Sequence, residues 1–296
     1  MDIKTFLYNS SKRINKLDAE ILLAHVIQKT REFLFANPEF EINFWQKIKF
    51  EHLVKQRQKN IPVAYLIGHK EFFGLDFLVN KSVLVPRPDT ELMVETATTE
   101  INKQISINKK FLLIDVGTGS GCIPISILKT QEHKNIKTIA IDVSKKALCV
   151  AKKNAKKHNV EIEFLHGNLL EPMFQLSELR TKNTELIITA NLPYITEQQF
   201  QNEPSIQHEP KLALVADNED LALYEELLRQ ISSLAHRSSD GVQSEGGFLV
   251  PHSSFLEIDP SQTEKIKILI KKYLPEASIK VEKDLAGLDR LIIIKN

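Results

Sequence analysis

The sequence predicts an α/β protein in which a small helical domain precedes a doubly wound, mostly parallel sheet. Three observations predict this arrangement. Apolar side chains recur at helical spacing through residues 1 to about 60, short apolar strands alternate with helices from Phe111 onward, and a glycine cluster follows the first of these strands. Alternation of strands and helices is typical of a parallel sheet covered by helices on both faces. At 296 residues the chain has room for both domains.

The first elements are predicted to be helices followed by a hairpin. Residues 18–27 and 44–54 carry apolar residues at helical spacing, and Asn37-Pro38 breaks the pattern between them. The pattern of residues 72–85 favours strands, with Asn80-Lys81-Ser82 as the turn of a β-hairpin. A small helical N-terminal domain is therefore predicted to join the rest of the chain through a hairpin.

These elements set the predicted domain boundaries. Residues 1–75 form the helical domain, residues 76–90 form the linking hairpin, and residues 91–296 form the sheet-containing domain. A helix is expected over residues 89–104 and another over residues 218–235.

Seven short apolar segments are predicted to be the strands of the sheet. They lie near residues 111–116, 137–142, 161–166, 185–190, 255–259, 278–283 and 289–295. The fifth strand has two candidates, Gly246–Val250 and Phe255–Ile258, separated by the polar segment Pro251–Ser254. Phe255–Ile258 is favoured, which leaves a loop over residues 236–254.

The first strand runs into a glycine-rich turn and a helix, as in Asp115-Val116-Gly117-Thr118-Gly119-Ser120-Gly121-Cys122. Glycine is needed where the backbone takes a positive φ or lies against a ligand. In a doubly wound sheet this turn lies beside the ligand, and Asp142, which ends the next strand, is placed to accept hydrogen bonds from ribose hydroxyls. Nicotinamide and S-adenosylmethionine sites both use such an acid, so this turn alone predicts only a nucleoside ligand.

A second motif selects between these cofactors. The apolar strand Glu185–Ala190 runs directly into Asn191-Leu192-Pro193-Tyr194. Asn and Pro are ordinary turn residues, so the tetrapeptide alone could be a turn. It also resembles the Asn-Pro-Pro-Tyr motif of methyltransferases that act on planar nitrogens. Together with the glycine turn, this resemblance implies S-adenosylmethionine as the cofactor.

A third stretch narrows the resemblance to one family. Residues 62–77 lead to Val83–Glu91, which contains Pro86-Arg87-Pro88-Asp89-Thr90-Glu91. With the two motifs above, this combination resembles the release factor glutamine methyltransferases, the PrmC or HemK family, over nearly the whole chain. The resemblance implies a Rossmann-like, seven-stranded class I methyltransferase domain with one antiparallel strand. It also implies that residues 86–91 pass beside the methyl-transfer site.

The activity implied by this resemblance is methyl transfer from S-adenosylmethionine to the side-chain amide nitrogen (N5) of a protein glutamine. The glutamine belongs to the Gly-Gly-Gln motif of class I peptide chain release factors, which are the expected partners. In the resemblance, the Asn191 side chain and the Leu192 main-chain carbonyl accept the two N–H bonds of the amide. Tyr194 and Phe73 are candidate apolar walls of the pocket.

The expected site residues follow from these motifs. The catalytic residues are Asn191, Leu192, Pro193 and Tyr194, and the substrate-binding residues are these four with Phe73 and Arg87. The expected cofactor-binding residues are Gly117, Thr118, Gly119, Ser120, Gly121, Asp142, Asn168, Leu169 and Asn191.

Two of these residues depart from the family pattern. Leu192 replaces the first proline of the motif, although Pro193 still disfavours the α region at residue 192. Asn168 stands where an acidic residue usually meets the adenine, and its amide can still hydrogen-bond the base. We expect altered adenine recognition and a preserved site.

Composition excludes several other classes of protein. The chain has 39 basic and 38 acidic residues, so no strong overall charge would attract nucleic acid. The spacing of Cys122, Cys149 and the nine histidines predicts no metal site, and both cysteines are predicted to be small buried residues in helices. No apolar run approaches membrane-spanning length, and a monomeric cytoplasmic protein is expected.

Two alternatives to a glutamine methyltransferase stay open at this point. A nucleic acid adenine or guanine N-methyltransferase would share the chemistry of the Asn191 motif. A non-catalytic S-adenosylmethionine-binding protein would explain the departures at Leu192 and Asn168. Salt-dependent nucleic acid binding would favour the first alternative.

Overall fold

The first part of the chain folds into five helices. The structure, a computed structural model, describes residues 2–105, 110–130, 136–175, 184–216, 221–236 and 251–296. The helices are α1 (Ile3–Ser11), α2 (Lys16–Ile27), α3 (Arg31–Ala36), α4 (Phe44–Arg57) and α5 (Val63–Ile67). A polar residue precedes each of the first four and accepts a backbone N–H of the first turn, as these residue types favour. The predicted helical character of this region is confirmed.

A two-stranded hairpin follows, but not where the sequence placed it. Its strands are β1 (His69–Phe72) and β2 (Leu75–Leu78), paired antiparallel. The turn is Phe73-Gly74, with φ of 52° and 70°, so the predicted turn at Asn80-Lys81-Ser82 and the hairpin boundaries of 76–90 are wrong. Hairpin turns of this kind favour Asn-Gly or Asp-Gly, and a phenylalanine at positive φ gives no such signal.

A contact from outside the hairpin explains how Phe73 is held in this conformation. The Glu91 carboxylate accepts the Phe73 N–H at 2.9 Å. The segment Asn80–Ser82 forms a separate turn beyond the hairpin, in which Asn80 Oδ1 accepts the Ser82 N–H. Polar residues therefore marked a real turn, but one that follows the second strand.

Seven strands form the main sheet. They are β3 (Lys110–Val116), β4 (Ile136–Asp142), β5 (Glu163–His166), β6 (Thr184–Ala190), β7 (Pro251–Glu257), β8 (Ser278–Lys283) and β9 (Asp289–Lys295). Their order across the sheet is β5-β4-β3-β6-β7-β9-β8, and only β9 runs antiparallel to its neighbours. The predicted seven-stranded, mostly parallel sheet is confirmed.

Helices cover both faces of this sheet. They are α6 (Glu91–Ile105), α7 (Cys122–Thr130), α8 (Lys145–His158), α9 (Glu197–Asn202), α10 (Ala222–His236) and α11 (Thr263–Tyr273). Side chains of β3 alternate between the faces: Leu112 and Ile114 pack with α10 and α11, whereas Phe111 and Leu113 pack with α6 and α7. The apolar run Phe111–Ile114 is therefore explained by burial on both sides of β3.

The fifth strand of the sheet is longer than predicted. β7 contains Phe255, as favoured, but it begins at Pro251, so the interpretation of residues 251–254 as loop is wrong. Ser253 and Ser254 are fully buried and pair with Ile187 and Ile188 of β6. Hydroxyl side chains and a proline resemble a loop in the sequence, although proline is tolerated as the first residue of a strand. The other candidate, residues 246–250, lies outside the described residues.

The two cysteines differ in burial. Cys122 is buried at the start of α7, as predicted, whereas Cys149 is exposed on α8, so its predicted burial is wrong. No helix in the described part of the chain is long and apolar enough to cross a membrane.

Candidate active site

The carboxyl ends of four parallel strands surround a cavity of about 290 Å³. Eight of the nine predicted cofactor-binding residues line this cavity: Gly117, Thr118, Gly119, Ser120, Asp142, Asn168, Leu169 and Asn191. Ligands of open α/β sheets lie at this edge because the loops after neighbouring strands converge there. The structure thus assembles the predicted residues around one space.

The glycine turn after β3 follows the edge of this cavity. Gly117, Gly119 and Gly121 take φ of 71°, 55° and 79°, a region that L side chains rarely adopt. Gly121 does not line the cavity: a Cβ there would lie 3.1 Å from Ile125 and 3.3 Å from Ala151. Gly121 is therefore needed for close packing of α7 against α8, which differs from its predicted contact with the cofactor.

Asp142 couples the end of β4 to the glycine turn. Its Oδ2 accepts the Gly119 N–H and its Oδ1 accepts the Ser144 N–H, both at 2.8 Å. Burial raises the pKa of Asp142, while these backbone hydrogen bonds and His166 oppose the increase. Because each carboxylate oxygen has more than one acceptor site, Asp142 can also accept hydrogen bonds from ribose hydroxyls in the cavity.

The loop after β5 closes the cavity beside Asp142. Asn168 is half-buried, and its Nδ2 lies 3.3 Å from the Glu171 Oε1. Leu169 takes a φ of 49° and is buried. The preceding Gly167, which is not among the predicted site residues, has no room for a side chain because a Cβ would lie 2.3 Å from Pro172. A glycine directly before an acceptor residue is the signal that could have indicated this tight bend.

The Asn191 motif follows β6 at the centre of the same edge. Asn191, Leu192 and Pro193 line this cavity and also a second, larger one. The Asn191 Nδ2 donates to the Thr90 hydroxyl at 3.2 Å. The buried Tyr224 hydroxyl donates to the Glu257 carbonyl and lies 3.4 Å from the Leu192 carbonyl, which has a second lone pair available.

The second cavity, of about 500 Å³, lies between the helical domain and the sheet domain. Asp18 and Arg57, ion-paired at 2.7 Å, line it from α2 and α4. Tyr194 lines it from the other side, and burial raises the pKa of Tyr194 to about 12. The two cavities share the wall formed by Asn191, Leu192 and Pro193, so these residues face both spaces.

Arg87 borders both cavities, in agreement with its predicted place beside the site. It forms an ion pair with Glu209, whose carboxylate also accepts the Val85 N–H at 2.9 Å. Pro86 and Thr90 line the first cavity, so the segment that contains them passes beside the candidate methyl-transfer site.

Phe73 is the predicted site residue that the structure does not bring to the site. It lies in the hairpin turn, packs against the core that contains α6 and α7, and lines neither cavity. Its predicted role as a pocket wall is therefore wrong. Leu84, Ala213 and Val215, which are not among the predicted site residues, form apolar wall of the first cavity.

A buried acid beside the Asn191 motif was also missed. Glu257 ends β7 and is 2 % exposed. Burial raises its pKa to about 7, while Thr90, the charge of Arg290 and Asn191 oppose this increase. An acidic residue that ends a buried strand is the sequence signal that could have identified it. In the part of the chain that the structure describes, no group of three or more His, Cys, Asp or Glu side chains could hold a metal ion.

Comparison with known protein families gives two matches. Residues 3–68 match the PrmC N-terminal domain, and residues 89–205 match the methyltransferase small domain. These matches cover most of the helical region and the strands that carry the glycine turn and the Asn191 motif.

Curated relatives match nearly the whole chain. The release factor glutamine methyltransferase of Bacillus anthracis is 31% identical over 92% of this chain and 90% of its own length. Those of Enterococcus faecalis and Flavobacterium psychrophilum are 35% and 36% identical, over 90% and 92% of this chain and 86% and 88% of their own lengths.

Solved structures share the fold at low identity. The catalytic domain of hMettl16 in complex with the MAT2A 3'UTR hairpin 1 has a TM-score of 0.58 at 14% identity, over 92% of this chain and 90% of that chain. The N-terminal domain of human METTL16 in complex with SAH has a TM-score of 0.52 at 17% identity, over 92% and 93%. At these identities the likeness shows a methyltransferase-type α/β fold alone.

Proposed function

The chain belongs to the release factor glutamine methyltransferase family, and we propose that its Asn191 and Leu192 hold the amide that is methylated. It uses S-adenosylmethionine to methylate a glutamine of peptide chain release factors. The observation that carries the proposed site is the shared wall of the two cavities, formed by the Asn191 motif. One cavity suits the cofactor, and the other gives a protein side chain access to it.

The first cavity fits the chemistry of S-adenosylmethionine. Gly117 and Gly119, both at positive φ, bring backbone rather than side chains to its edge, and Asp142 supplies carboxylate acceptors for ribose hydroxyls. Apolar side chains from Val143, Ala147 and Leu223 complete the wall and suit an adenine ring. When bound, S-adenosylmethionine supplies an electrophilic methyl group and departs as a neutral thioether.

The protein contributes mainly position. An amide nitrogen is a poor nucleophile because its lone pair is delocalised into the carbonyl, so the site must hold it close to the methyl group and in line with the departing sulfur. The Asn191 Oδ1 and the Leu192 carbonyl are acceptors for the two amide N–H bonds. Tyr194, with a raised pKa, stays neutral at physiological pH and forms a wall that excludes water.

We also propose that the helical domain recognises the release factor. Its residues Asp18 and Arg57 line the larger cavity opposite Tyr194. Nearly balanced charge supports the proposal that the protein binds no nucleic acid stably, and a release factor as partner supports a cytoplasmic location. The similarity to RNA-bound hMettl16 does not favour nucleic acid as the substrate, since it extends to the fold alone.

Replacement of Asn191 tests the proposed site directly. Asn191→Ala removes one acceptor, leaves a substrate N–H unpaired and loosens the in-line geometry. We expect a loss of about 3–4 kcal/mol of transition-state stabilisation, or roughly a hundredfold or more in rate at saturating cofactor. Single-turnover methylation of an intact release factor measures the rate, and calorimetry measures the affinity.

The negative control for this experiment is a release factor with glutamine changed to glutamate in its Gly-Gly-Gln loop. Methylation of that control would show that another residue is the acceptor. Near-normal transfer by Asn191→Ala would show instead that the Leu192 carbonyl suffices and that the proposed role of Asn191 is wrong.

A further inference from the structure

Glu257 lies directly behind the Asn191 motif without lining either cavity. It ends β7, adjacent to β6, and its side chain is surrounded by protein. Its Oε2 has no hydrogen-bond partner among the residues that the structure describes. An acceptor buried without full pairing is costly, so its retention beside Asn191 calls for a functional reason.

The hydrogen bonds around Glu257 have a defined direction. Asn191 Nδ2 donates to the Thr90 hydroxyl oxygen at 3.2 Å. The Thr90 hydroxyl and the Asn191 amide both lie near the Glu257 carboxylate and lower its pKa. An ionised carboxylate only accepts hydrogen bonds, so in any hydrogen bond between Glu257 and Thr90 or Asn191 the neighbour is the donor. The Thr90 hydrogen therefore points to Glu257, which leaves the Thr90 lone pairs for Asn191.

This direction fixes the orientation of the Asn191 amide. Its nitrogen is held on the side of Thr90 and Glu257, and its Oδ1 accepts no hydrogen bond from the described residues. The oxygen is thus left for the cavity. If the Asn191 amide were flipped, its NH₂ group would face the NH₂ group of the substrate glutamine. Both groups are donors, so the hydrogen bond that positions the glutamine would be lost.

We propose that Glu257 is a positioning residue for methyl transfer: through Thr90 it holds the Asn191 amide with its oxygen toward the substrate. This inference rests on the function proposed above and assigns a role to two residues outside the motif. Neither needs to touch the reacting atoms. Their effect is on which atom of Asn191 faces the amide.

Several charged or titratable groups face Glu257 from the surrounding elements. They are Arg290 from β9, Asp89 from the turn before α6, Tyr194 after β6, Tyr224 from α10 and Cys122 from α7. Arg290 lowers the pKa of Glu257, whereas burial and Asp89 raise it, with a result of about 7. Once protonated, Glu257 can donate to Thr90, and the constraint on the Asn191 amide is released.

Three variants test the proposal in the full chain. Glu257→Gln replaces the acceptor-only group by a side chain of the same shape, and Thr90→Val removes the hydroxyl at nearly constant volume. We expect each to lower the turnover number for release factor by about tenfold or more. Cofactor affinity should be unchanged in Glu257→Gln, because Glu257 lines neither cavity. Thr90→Ser keeps the hydroxyl and should recover most of the turnover.

The pH profile separates positioning from simple destabilisation. The turnover number of the wild type should fall below about pH 7, as Glu257 is protonated, and this acidic decline should be absent in Glu257→Gln. The double variant Thr90→Val/Glu257→Gln should be no slower than the slower single variant, since both act through one contact chain. Matched controls are Thr138→Val on β4 and Glu100→Gln on α6, buried residues of the same types away from both cavities.

A second measurement does not depend on activity. The Glu257 pKa, followed by ¹³C NMR of side-chain carboxyls, should rise in Thr90→Val because a donor to the carboxylate is lost. Normal turnover in Glu257→Gln and Thr90→Val, or an unchanged Glu257 pKa in Thr90→Val, would overturn the positioning role. A wild type that fails to methylate release factor would instead refute the proposed function, and the NMR titration would then decide the Glu257 contact alone.

Discussion

Leu192 shows how the site accommodates a departure from the family motif. Its side chain is 3 % exposed and packs in the core between the sheet and α10. A Cβ at Gly117 would lie 3.4 Å from the Leu192 side chain, so the glycine turn and this leucine fit against each other. Pro193 disfavours the α region at residue 192, a restriction that does not need the first proline. The departure therefore changes a buried contact more than it changes the acceptor.

Asp142 is the residue on which cofactor binding is expected to depend most. Asp142→Ala removes the acceptors for the ribose and also releases the N–H groups of Gly119 and Ser144. We expect S-adenosylmethionine binding to weaken by about 1.5–3 kcal/mol, the range for hydrogen bonds to a charged group. Calorimetry on the folded variant measures this change, and Asp142→Asn, which retains one acceptor, should show a smaller loss. Equal affinity in Asp142→Ala and wild type would remove Asp142 from the site.

At the residue scale, the sequence indicated the groups that lie in local motifs and missed those that depend on packing. Gly117, Asp142 and Asn191 occur at fixed positions after strands, so their convergence could be predicted. Thr90 and Glu257 lie 167 residues apart in the sequence, and no motif joins them. The pairing of β6 with β7 brings Glu257 to Asn191, and Asn191 contacts Thr90. The prediction for Phe73 was wrong for a local reason: the residue lies in a turn at positive φ, and the sequence there is not one that such turns favour.

At the scale of elements, the hairpin belongs with the sheet domain. Phe72 and Phe77 pack in the core formed by α6, α7 and β3, and neither is more than 1 % exposed. Asn154 of α8 adds a polar connection: its side chain accepts the Leu78 N–H at 2.8 Å and donates to the Leu78 and Ser120 carbonyls at 3.0 and 2.9 Å. One fully buried side chain thus joins β2, α8 and the glycine turn.

Loss of this connection should affect both stability and the cofactor site. Asn154→Ala removes three hydrogen bonds and leaves backbone groups of Leu78 and Ser120 without their partner. We expect the free energy of unfolding to fall by about 2–4 kcal/mol and cofactor affinity to weaken, since Ser120 lines the cavity. Urea unfolding and calorimetry measure the two effects. Lys153→Ala, at an exposed position of the same helix, is the control, and an equal loss in both variants would contradict the special role of Asn154.

The boundaries of strands and helices could be predicted where apolar segments are separated by polar turns. They could not be predicted where polar residues are buried within a strand. All seven strands were located within a few residues except at the start of β7, where Ser253 and Ser254 lie in the core. The sequence carries no sign that these hydroxyls are covered by other elements. The hairpin was displaced for a related reason, because its position is set by packing on α8 and by Glu91 rather than by its own turn residues.

At the scale of the whole molecule, the helical domain and the sheet domain together complete the larger cavity. Asp18 and Arg57 line it from the helical domain, and the Asn191 motif lines it from the sheet domain. The His208 ring of the sheet domain also contacts the Lys59 carbonyl of the helical domain at 2.6 Å. The sequence predicted both domains but not this junction, which arises from contacts between residues far apart in the chain. The junction places the proposed release factor contacts next to the residues that hold the glutamine.

Buried acids at the centre of the molecule should also make its stability depend on pH. Asp115 is fully buried in β3, where Thr189 donates to its Oδ1 at 2.7 Å and Oδ2 has no partner among the described residues. Burial raises the pKa of Asp115 to about 7, and the nearby charge of Asp142 adds to the increase. The folded state therefore binds this proton more tightly than the unfolded state, and stability should fall as pH rises from the unfolded pKa of about 4 to the folded value.

Asp115→Asn isolates this effect because the amide stays neutral at every pH. Relative to the wild type, the variant should gain free energy of unfolding as pH rises from about 4 to about 7, by up to about 4 kcal/mol, and the gain should level off above that range. Urea unfolding at pH 5 and pH 8 measures the difference. Glu100→Gln is a control of opposite sign: contacts with Lys295 and His252 lower the pKa of Glu100, so its loss should destabilise the protein above the unfolded pKa of the acid. A constant difference between Asp115→Asn and wild type at both pH values would show that Asp115 keeps its charge state on folding, because only a change in proton binding makes the difference vary with pH.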